Sequence, residues 1–455
     1  MSVIVIGSGL SAVGAIKALR NRGIKPIVLD IALSQEDSLS DLKNSMRSEV
    51  LFKKARPKLQ YSNMKGGFSN VWGGSALCPP KSDLGDWPLE AIPTSSDYKD
   101  CTEGIIYTAS DDDLDSSFEH PHPIIAKPPE DISADYLMKK FKKLSKNKNL
   151  FFSFGRARQF IDYKNSNYIY SAKTEIENMQ RNNEITFISG ANVQNIAEKG
   201  KEVTVEYICN QLKQTIKASS VFIASGAVNT TKLLANYCQI YDSKINLMYA
   251  DSFVIPFFVT KNIFYDRYNT NANIFLELKD TEKSNTFSHI QIGRPNEIIL
   301  SLMMYPSLPN FCKNILLYCL GYSYTAICTT HSKISGYYET SLKKTEGDDS
   351  LSITNQHLGN DQKRILKKVS GILNSCGAYN VRFINKKFDA HFYIGGSFPM
   401  RQIPTKPNET DVLGRPKGAQ RIFAIDSSVF PSIPATTVGL LAMANGYRIG
   451  RLAKL

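Results

Sequence analysis

The sequence has few cysteines, and their spacing limits what they can do. Eight cysteines are spread over 455 residues, and no two of them form a C-x-x-C pair. This spacing fits no zinc site, and a chain of this length needs no disulfide framework to stabilise its core. We therefore expect reduced cysteines in a cytoplasmic protein.

Histidine is also scarce. Of the six histidines, only His120 and His122 are close in sequence. Two histidines around one proline supply at most half of a metal site. The acidic run at 110–117 lacks the spacing of a calcium-binding loop. The sequence predicts no metal centre.

No hydrophobic run is long enough to cross a bilayer. The least charged stretch lies between Lys313 and Lys333, and its interrupted apolar part is shorter than the ~20 residues of a spanning helix. We expect a buried or interfacial segment, with a peripheral membrane contact through residues 311–328 as the alternative. A strand pattern begins at residue 3, so we expect no signal peptide.

Basic residues outnumber acidic ones. Lys and Arg total 55 and Asp and Glu total 42, which gives a net charge of +13. This balance favours anionic partners such as phosphorylated substrates, nucleic acid or an acidic membrane surface. The sequence contains no RNA- or DNA-reading motif, so we expect no nucleic-acid partner. It has no internal repeats and is long enough for two domains.

The N-terminus carries a dinucleotide-binding pattern. An apolar strand at 3–6 leads into Gly7-Ser8-Gly9-Leu10-Ser11-Ala12, which has the G-x-G-x-x-A form and opens a helix. Gly7 permits the tight turn, Gly9 lets a pyrophosphate approach the backbone, and the helix N-terminus offers free N–H groups. Asp30 ends the next strand 21 residues after Gly9, where an acid that binds an adenosine ribose is expected. The motif alone fits FAD or NAD.

Two later segments extend this pattern. Residues 66–75 (GGFSNVWGGS) place four glycines around an aromatic pair, as suits backbone laid against a flat ligand. Residues 221–234 have the pattern of a strand, a tight turn and a helix. Between 185 and 220 the alternation predicts a β-meander with turns near 198–201 and 210–213. A meander before a returning Rossmann strand is typical of FAD proteins, so FAD is favoured over NAD.

These segments, together with HFYIGGSFPM at 391–400 and the run at 411–452, resemble the glucose-methanol-choline (GMC) oxidoreductase family, especially its shorter bacterial members. The resemblance implies FAD. The glycine-rich segment lacks a histidine, which excludes a histidyl–flavin bond there, so we expect non-covalent binding. The implied cofactor-binding residues are Gly7, Gly9, Leu10, Ser11, Ala12, Asp30, Gly67, Asn70, Val71, Trp72, Gly73, Gly74, Val193, Ser225, Gly226, Asp426, Val429, Phe430, Thr437 and Val438.

The resemblance also implies the catalytic residues, His391 and Thr437. An imidazole, with an ordinary pKa of about 6.5, can take the proton of an alcohol near neutral pH, so His391 is the expected general base. Without the resemblance, a lone histidine is more often structural. Thr437 stands where many family members carry a second His or Asn. Threonine can hydrogen-bond a substrate hydroxyl but cannot act as a base.

The predicted fold class is α/β, with a Rossmann-like FAD-binding domain and an interleaved substrate domain built on an antiparallel sheet. We expect residues 1–95, 150–250 and 385–455 in the first domain and 96–149 and 251–384 in the second. The expected function is an FAD-dependent dehydrogenase that oxidises a sugar-like alcohol, which the charge suggests is phosphorylated, nucleotide-linked or lipid-linked. The alternatives are an isomerase with no net oxidation, an O₂-using oxidase and, least favoured, a non-enzymatic flavin binder. The sequence identifies no electron acceptor.

Overall fold

The computed structural model describes residues 2–32, 59–146, 151–165, 168–259, 272–295, 309, 311, 323–344, 349–359, 361–380, 386–387 and 391–455. The helices in these ranges are α1 (Leu10–Asn21), α2 (Ser95–Cys101), α3 (Ile132–Leu144), α4 (Ala172–Arg181), α5 (Ala227–Tyr237), α6 (Ser332–Ser335), α7 (Gln362–Ser375) and α8 (Val438–Leu452). The strands are β1 (Val3–Ile6), β2 (Ile27–Asp30), β3 (Phe152–Arg156), β4 (Ile161–Asp162), β5 (Tyr168–Ile169), β6 (Thr186–Ser189), β7 (Asn192–Lys199), β8 (Glu202–Cys209), β9 (Leu212–Ala218), β10 (Ser220–Ile223), β11 (Ile245–Tyr249), β12 (Ser252–Val259), β13 (Ala272–Lys279), β14 (Phe287–Gly293), β15 (Tyr324–Thr329), β16 (Gly336–Lys343), β17 (Ser350–Leu358), β18 (Ala378–Asn380), β19 (Lys386–Lys387), β20 (Ile394–Gly395) and β21 (Ile422–Ala424).

A five-stranded parallel sheet has the strand order β21-β10-β1-β2-β6. The central strand β1 is an apolar run buried along its whole length, as is typical of a parallel strand covered on both faces. Because β1 and β2 are parallel neighbours, Gly7 and Asp30 come to the same carboxyl edge of the sheet. This arrangement is Rossmann-like, as the sequence predicts.

Helices α1 and α8 pack at very short distance through glycines. A Cβ on Gly14 would lie 2.0 Å from the carbonyl oxygen of Met443, and one on Gly446 would lie 2.1 Å from that of Ser11. Real Cβ contacts do not reach such distances, so only glycine allows this crossing. The contact fixes the C-terminal helix against the helix that follows the dinucleotide motif.

A second, antiparallel sheet has the order β18-β12-β15-β14-β13-β3, with β19 also pairing with β12. One face of it packs on helices α3 and α7, where Phe141 and Val369 join Ile255 and Ile290 in one core. Side chains alternate between the two faces of a strand. The opposite face therefore presents the alternate residues, including polar ones.

The sheets confirm the predicted mixed α/β class. Strands β7, β8 and β9 form the expected meander, with turns at 200–201 and 210–211. Two boundaries differ from the expectation. β6, inside the stretch predicted as meander, is an edge strand of the parallel sheet. β3, assigned by sequence to the FAD-binding domain, pairs with β13 in the antiparallel sheet. Both strands are short, so their sequences alone do not determine which neighbouring strand they pair with.

A four-stranded sheet of order β17-β16-β11-β20 lies beside these two. β20 is only two residues long, and Ile394 pairs with Tyr249 of β11. This pairing brings the segment around residue 391 next to the start of β12. The four-stranded sheet thereby sets the position of the histidine that the sequence singles out.

No helix among the described residues combines the length and apolarity that a bilayer crossing requires. Of the stretch predicted to contact a membrane peripherally, residues 324–328 belong to the largely buried strand β15, and 312–322 lie outside the described residues. That contact stays a prediction. The six described cysteines are free thiols, and Cys312 and Cys319 lie outside the described ranges.

Candidate functional site

A cavity of about 510 Å³ connects the carboxyl edge of the parallel sheet with the polar face of the antiparallel sheet. Gly7 and Asp30 line the first end, and Gln291 and Thr329 line the second. The volume lies in the range of ligand sites, roughly 300 to 1,000 Å³. The two ends differ in chemistry, so each is described separately.

The first end is built by the turn between β1 and α1. Gly7 has a φ of +101°, and a Cβ there would lie 2.3 Å from the carbonyl oxygen of Ala224, so the turn requires glycine. A Cβ on Gly9 would meet no described atom within 4 Å, although Gly9 lines the cavity. No side chain of the described residues caps α1. Its first N–H groups are therefore available to an anion in the open space beside Gly9.

Asp30 lies at the same edge. Its Oδ1 accepts a hydrogen bond from the N–H of Ala32 at 2.6 Å, and its side chain is almost fully buried. Burial raises the pKa of Asp30 to about 6, although hydrogen bonds from Ser8 and the charge of Lys65 oppose the shift. The group is ionised near neutral pH and can accept hydrogen bonds from ribose hydroxyls.

The glycine-rich segment at 66–75 forms one wall of the cavity. The N–H of Gly66 donates to Ser8 Oγ at 2.8 Å, and a Cβ on Gly67 would lie 3.6 Å from Gly9 Cα. Trp72 lines the cavity, and its indole Nε1–H donates to the carbonyl oxygen of Tyr170 at 2.8 Å. The segment is thus held directly against the dinucleotide motif, with its indole ring fixed in orientation.

The C-terminal segments complete the cavity. Asp426 accepts hydrogen bonds from Thr230 Oγ1 at 2.5 Å and from the N–H of Ser428 at 2.9 Å. Burial raises its pKa. Thr437 precedes α8, and its Oγ1 accepts a bond from the N–H of Leu77 at 3.3 Å. No described side chain caps α8, so its first N–H groups are available to negative charge.

The structure brings most of the residues expected from sequence to this cavity. Those that line it are Gly7, Gly9, Leu10, Ser11, Asp30, Gly67, Val71, Trp72, Gly73, Val193, Ser225, Gly226, Asp426, Thr437 and Val438. Five expected residues are not part of its described lining: Ala12, Asn70, Gly74, Val429 and Phe430. Asn70 instead donates to the carbonyl oxygens of Lys65 and Gly67, so it shapes the loop that contributes to the wall.

His391, the general base expected from the resemblance, is hydrogen-bonded by protein side chains at both ring nitrogens. The described lining of the cavity omits His391, whose side chain is buried at 4% exposure. Its Nε2 lies 2.8 Å from Asp251 Oδ1, and its Nδ1 lies 2.5 Å from the hydroxyl of Tyr338. A carboxylate only accepts, so Nε2 carries the proton, while Nδ1 accepts from the tyrosine in the neutral ring. Both ring nitrogens are thus engaged by protein side chains in this arrangement, and the role of His391 as general base stays a prediction.

Several lining residues have no signal in the sequence. The antiparallel sheet contributes Ser252, Gln291, Ile327 and Thr329, and Tyr393 comes from the same short segment as His391. The sheet residues are separated by tens of positions in the chain, so only strand pairing brings them together. Tyr393 lies within the HFYIGGSFPM run, which could have drawn attention to it.

A small acidic cluster lies outside the cavity. Asp111, Asp115 and His120 offer three ligand atoms that lie within 4.8 Å of one another. The Asp115 carboxylate already pairs with the buried guanidinium of Arg158, and His120 Nε2 lies 2.8 Å from Asp115 Oδ1. Because these internal pairs account for the arrangement, we assign no metal ion to it.

No protein-family model matches the chain, and no curated protein matches it in sequence. The fold is similar to that of pyridoxine 4-oxidase from Mesorbium loti. The two structures align with a TM-score of 0.65 over 98% of each chain, at 13% sequence identity. At this identity the likeness establishes the fold, and the chemistry has to be argued from the residues of the cavity.

Proposed function

We propose that the protein is an FAD-dependent oxidoreductase that acts on the hydroxyl-bearing carbon of a small polar substrate. The observation that carries this proposal is the single cavity that joins a dinucleotide-binding end to a hydrogen-bonding end on the antiparallel sheet. The GMC-like motifs and the likeness in fold to pyridoxine 4-oxidase, an enzyme named for oxidising an alcohol, support it.

The first end suits FAD on features of the protein itself. Beside Gly9 there is open space that a larger side chain would occupy. No described side chain caps the N-terminus of α1, and the Asp30 carboxylate is buried at the same edge of the parallel sheet. These would hold the pyrophosphate and the ribose. When bound, FAD supplies the hydride acceptor. The N-terminus of α8, with Thr437 and Val438 on the cavity, would stabilise negative charge there.

The second end indicates the substrate class. Ser252, Gln291, Thr329 and Thr437 offer neutral donors and acceptors, and Ser252 Oγ lies 3.0 Å from Thr329 Oγ1. In the described lining, Lys232 is the cationic residue, and it belongs to α5 rather than to the antiparallel sheet. This end therefore favours a neutral, polyol-like alcohol over a phosphorylated one, despite the net charge of +13.

A second candidate is a flavin-dependent isomerase, in which the hydride returns to the substrate within one turnover. The described lining of the cavity contains no histidine, and it therefore lacks the side chain most often used to remove an alcohol proton. An enzyme that returns the hydride needs no permanent proton acceptor. Turnover without any electron acceptor would select this candidate over the dehydrogenase.

The first test is the visible spectrum of the purified protein before and after acid precipitation. Bands at about 370 and 450 nm that move into the supernatant would show a non-covalent flavin. Anaerobic addition of pyridoxine, glucose or benzyl alcohol should then bleach the longer-wavelength band. Air restores the band in an oxidase, and a dye is needed in a dehydrogenase. A colourless protein that FAD cannot reconstitute would contradict the proposal.

A further inference from the structure

Tyr393 is held at the sheet end of the cavity by its backbone. Its carbonyl oxygen accepts a hydrogen bond from the N–H of Ala250 at 2.9 Å, and the next residue, Ile394, pairs with Tyr249. Ala250 lies two positions before Ser252, which begins β12 and lines the cavity. Tyr393 therefore lines the cavity close to the start of β12, away from the end that contains Asp30.

The hydroxyl of Tyr393 has no hydrogen-bond partner among the described residues. This contrasts with Tyr338, whose hydroxyl bonds to His391. A phenol at the wall of a partly buried cavity usually finds a partner, because leaving it unpaired has a cost in free energy. A ligand in the cavity that Tyr393 lines could supply the missing hydrogen-bond partner.

The other ionisable side chains of the described lining lie away from the sheet end of the cavity or are hydrogen-bonded to protein groups. Asp30 lies at the dinucleotide end, and Asp426 accepts bonds from Thr230 and Ser428. Lys232 extends from α5, and Tyr61 is 52% exposed. Tyr393 is thus the group that can exchange a proton at the sheet end, where the remaining described donors are neutral hydroxyls and an amide.

We propose that the hydroxyl of Tyr393 bonds to the reacting oxygen of the substrate and exchanges a proton with it, a role that rests on the function proposed above. In the direction of carbonyl reduction, the phenol proton would move to the oxygen while a bound reduced flavin would supply the hydride to the carbon. The phenolate then takes a proton from water. In alcohol oxidation the phenol would pass its own proton to water as it takes the proton of the alcohol oxygen, so the step needs no free phenolate.

Burial supports the donor role. It raises the pKa of Tyr393 to about 12, so the phenol holds its proton at neutral pH. A protonated phenol donates to a carbonyl or hydroxyl oxygen, and it does not attract a carboxylate as a lysine would. The substrate class is therefore a neutral alcohol and carbonyl pair.

The test compares Tyr393→Phe, which removes only the hydroxyl, with Tyr379→Phe as the control, because Tyr379 is 60% exposed and is not part of the described lining of the cavity. The probes are the alcohols of the panel above and, as a carbonyl ligand, pyridoxal. The readouts are flavin content, the dissociation constant of pyridoxal from the perturbed flavin absorbance, and the maximal rate of anaerobic bleaching. Tyr393→Phe should keep its flavin, bind pyridoxal about 3- to 10-fold more weakly, and bleach at least about tenfold more slowly.

Tyr393→His provides a second variant. An imidazole at this position can also donate to the oxygen and accept a proton, so bleaching should be faster than in Tyr393→Phe. Equal rates in the Phe and His variants, or an unchanged rate and dissociation constant in a flavin-loaded Tyr393→Phe, would overturn the role of Tyr393 and leave the proposed function standing. A wild-type flavin that no alcohol of the panel bleaches would remove the proposed function and this inference together.

Discussion

The Nε2 atom of His391 lies 2.8 Å from Oδ1 of Asp251, and both side chains are buried. The histidine ring also stacks on Tyr249, with ring centroids 4.0 Å apart. Asp251 connects β11 to β12, so the pair ties the four-stranded sheet to the antiparallel sheet. Since Tyr393 directly precedes β20 and Ser252 begins β12, the pair positions the sheet end of the cavity without belonging to its described lining.

Replacing His391 should therefore cost stability. His391→Ala leaves the buried Asp251 carboxylate without one of its partners, and we expect the free energy of unfolding to fall by about 3 kcal/mol. Urea unfolding of the flavin-free protein measures this loss. His357→Ala is the control, because that ring is 41% exposed, and its effect should stay below about 1 kcal/mol. Unchanged stability with abolished bleaching would support the role of His391 as the base.

FAD affinity should weaken as the pH falls through about 6. The pKa of Asp30 in the free protein is raised from 3.8 to about 6. Ribose binding favours the ionised carboxylate, and at pH 5 only about a tenth of the free protein carries it. Fluorescence titration with FAD should give a dissociation constant about tenfold higher at pH 5 than at pH 7. The Asp30→Asn variant should bind weakly at both, and an equal pH dependence in it would contradict this assignment.

The raised pKa of Asp30 should also make the stability of the flavin-free protein fall as the pH rises, whereas FAD affinity should rise with pH. The folded state holds the Asp30 proton more tightly than the unfolded chain, whose pKa is near 3.8. The stabilisation from this group is present below pH 3.8 and is lost as the pH rises through about 6. Comparing unfolding midpoints of wild type and Asp30→Asn between pH 4 and 7 measures this. A difference that does not change with pH would argue against a raised pKa.

Gly9→Ala should separate folding from cofactor binding. A Cβ at Gly9 meets no described atom within 4 Å, so the variant should unfold at about the wild-type temperature. Its methyl group would occupy the space where the pyrophosphate approaches the backbone, and FAD affinity should fall at least about tenfold. Flavin content after reconstitution and thermal unfolding give both values. Wild-type flavin affinity would place the phosphates elsewhere.

The crossing of α1 and α8 should not tolerate a methyl group. Gly14→Ala places a Cβ 2.0 Å from the Met443 carbonyl oxygen, and the helices must separate. We expect a loss of about 3 kcal/mol or more in the free energy of unfolding. Gly371→Ala is the control, because Gly371 is exposed in α7 and its Cβ would meet no described neighbour. That variant should gain about 0.5 to 1 kcal/mol from helix propensity.

Site residues that are close together in the sequence could be predicted, and those on separate strands could not. Gly7, Gly9 and Asp30 were found because a strand, a tight turn and a helix impose residue types at fixed short spacings. Ser252, Gln291 and Thr329 were not found, since their meeting depends on the pairing of three separate strands. A polar residue in an alternating strand gives no sign of which ligand its face covers.

The sequence pattern also could not tell which of two nearby residues, His391 or Tyr393, lines the cavity. The chain bends at 392 and 393 before β20 begins, so the alternation of a regular strand does not apply there. Hydrogen bonds from Tyr338 and to Asp251 keep the His391 ring inside the protein, and the pairing of β20 with β11 places Tyr393 on the cavity.

The sequence by itself determined the Rossmann-like unit, the dinucleotide end of the cavity and the mixed α/β class, because these follow from local turn geometry and hydrophobic periodicity. Only the tertiary structure decided that Phe392, Tyr393 and Ile394 of the HFYIGGSFPM segment line the cavity while His391 is outside its described lining. That choice depends on hydrogen bonds and strand pairs formed with residues more than 50 positions away, and a local pattern contains no information about them.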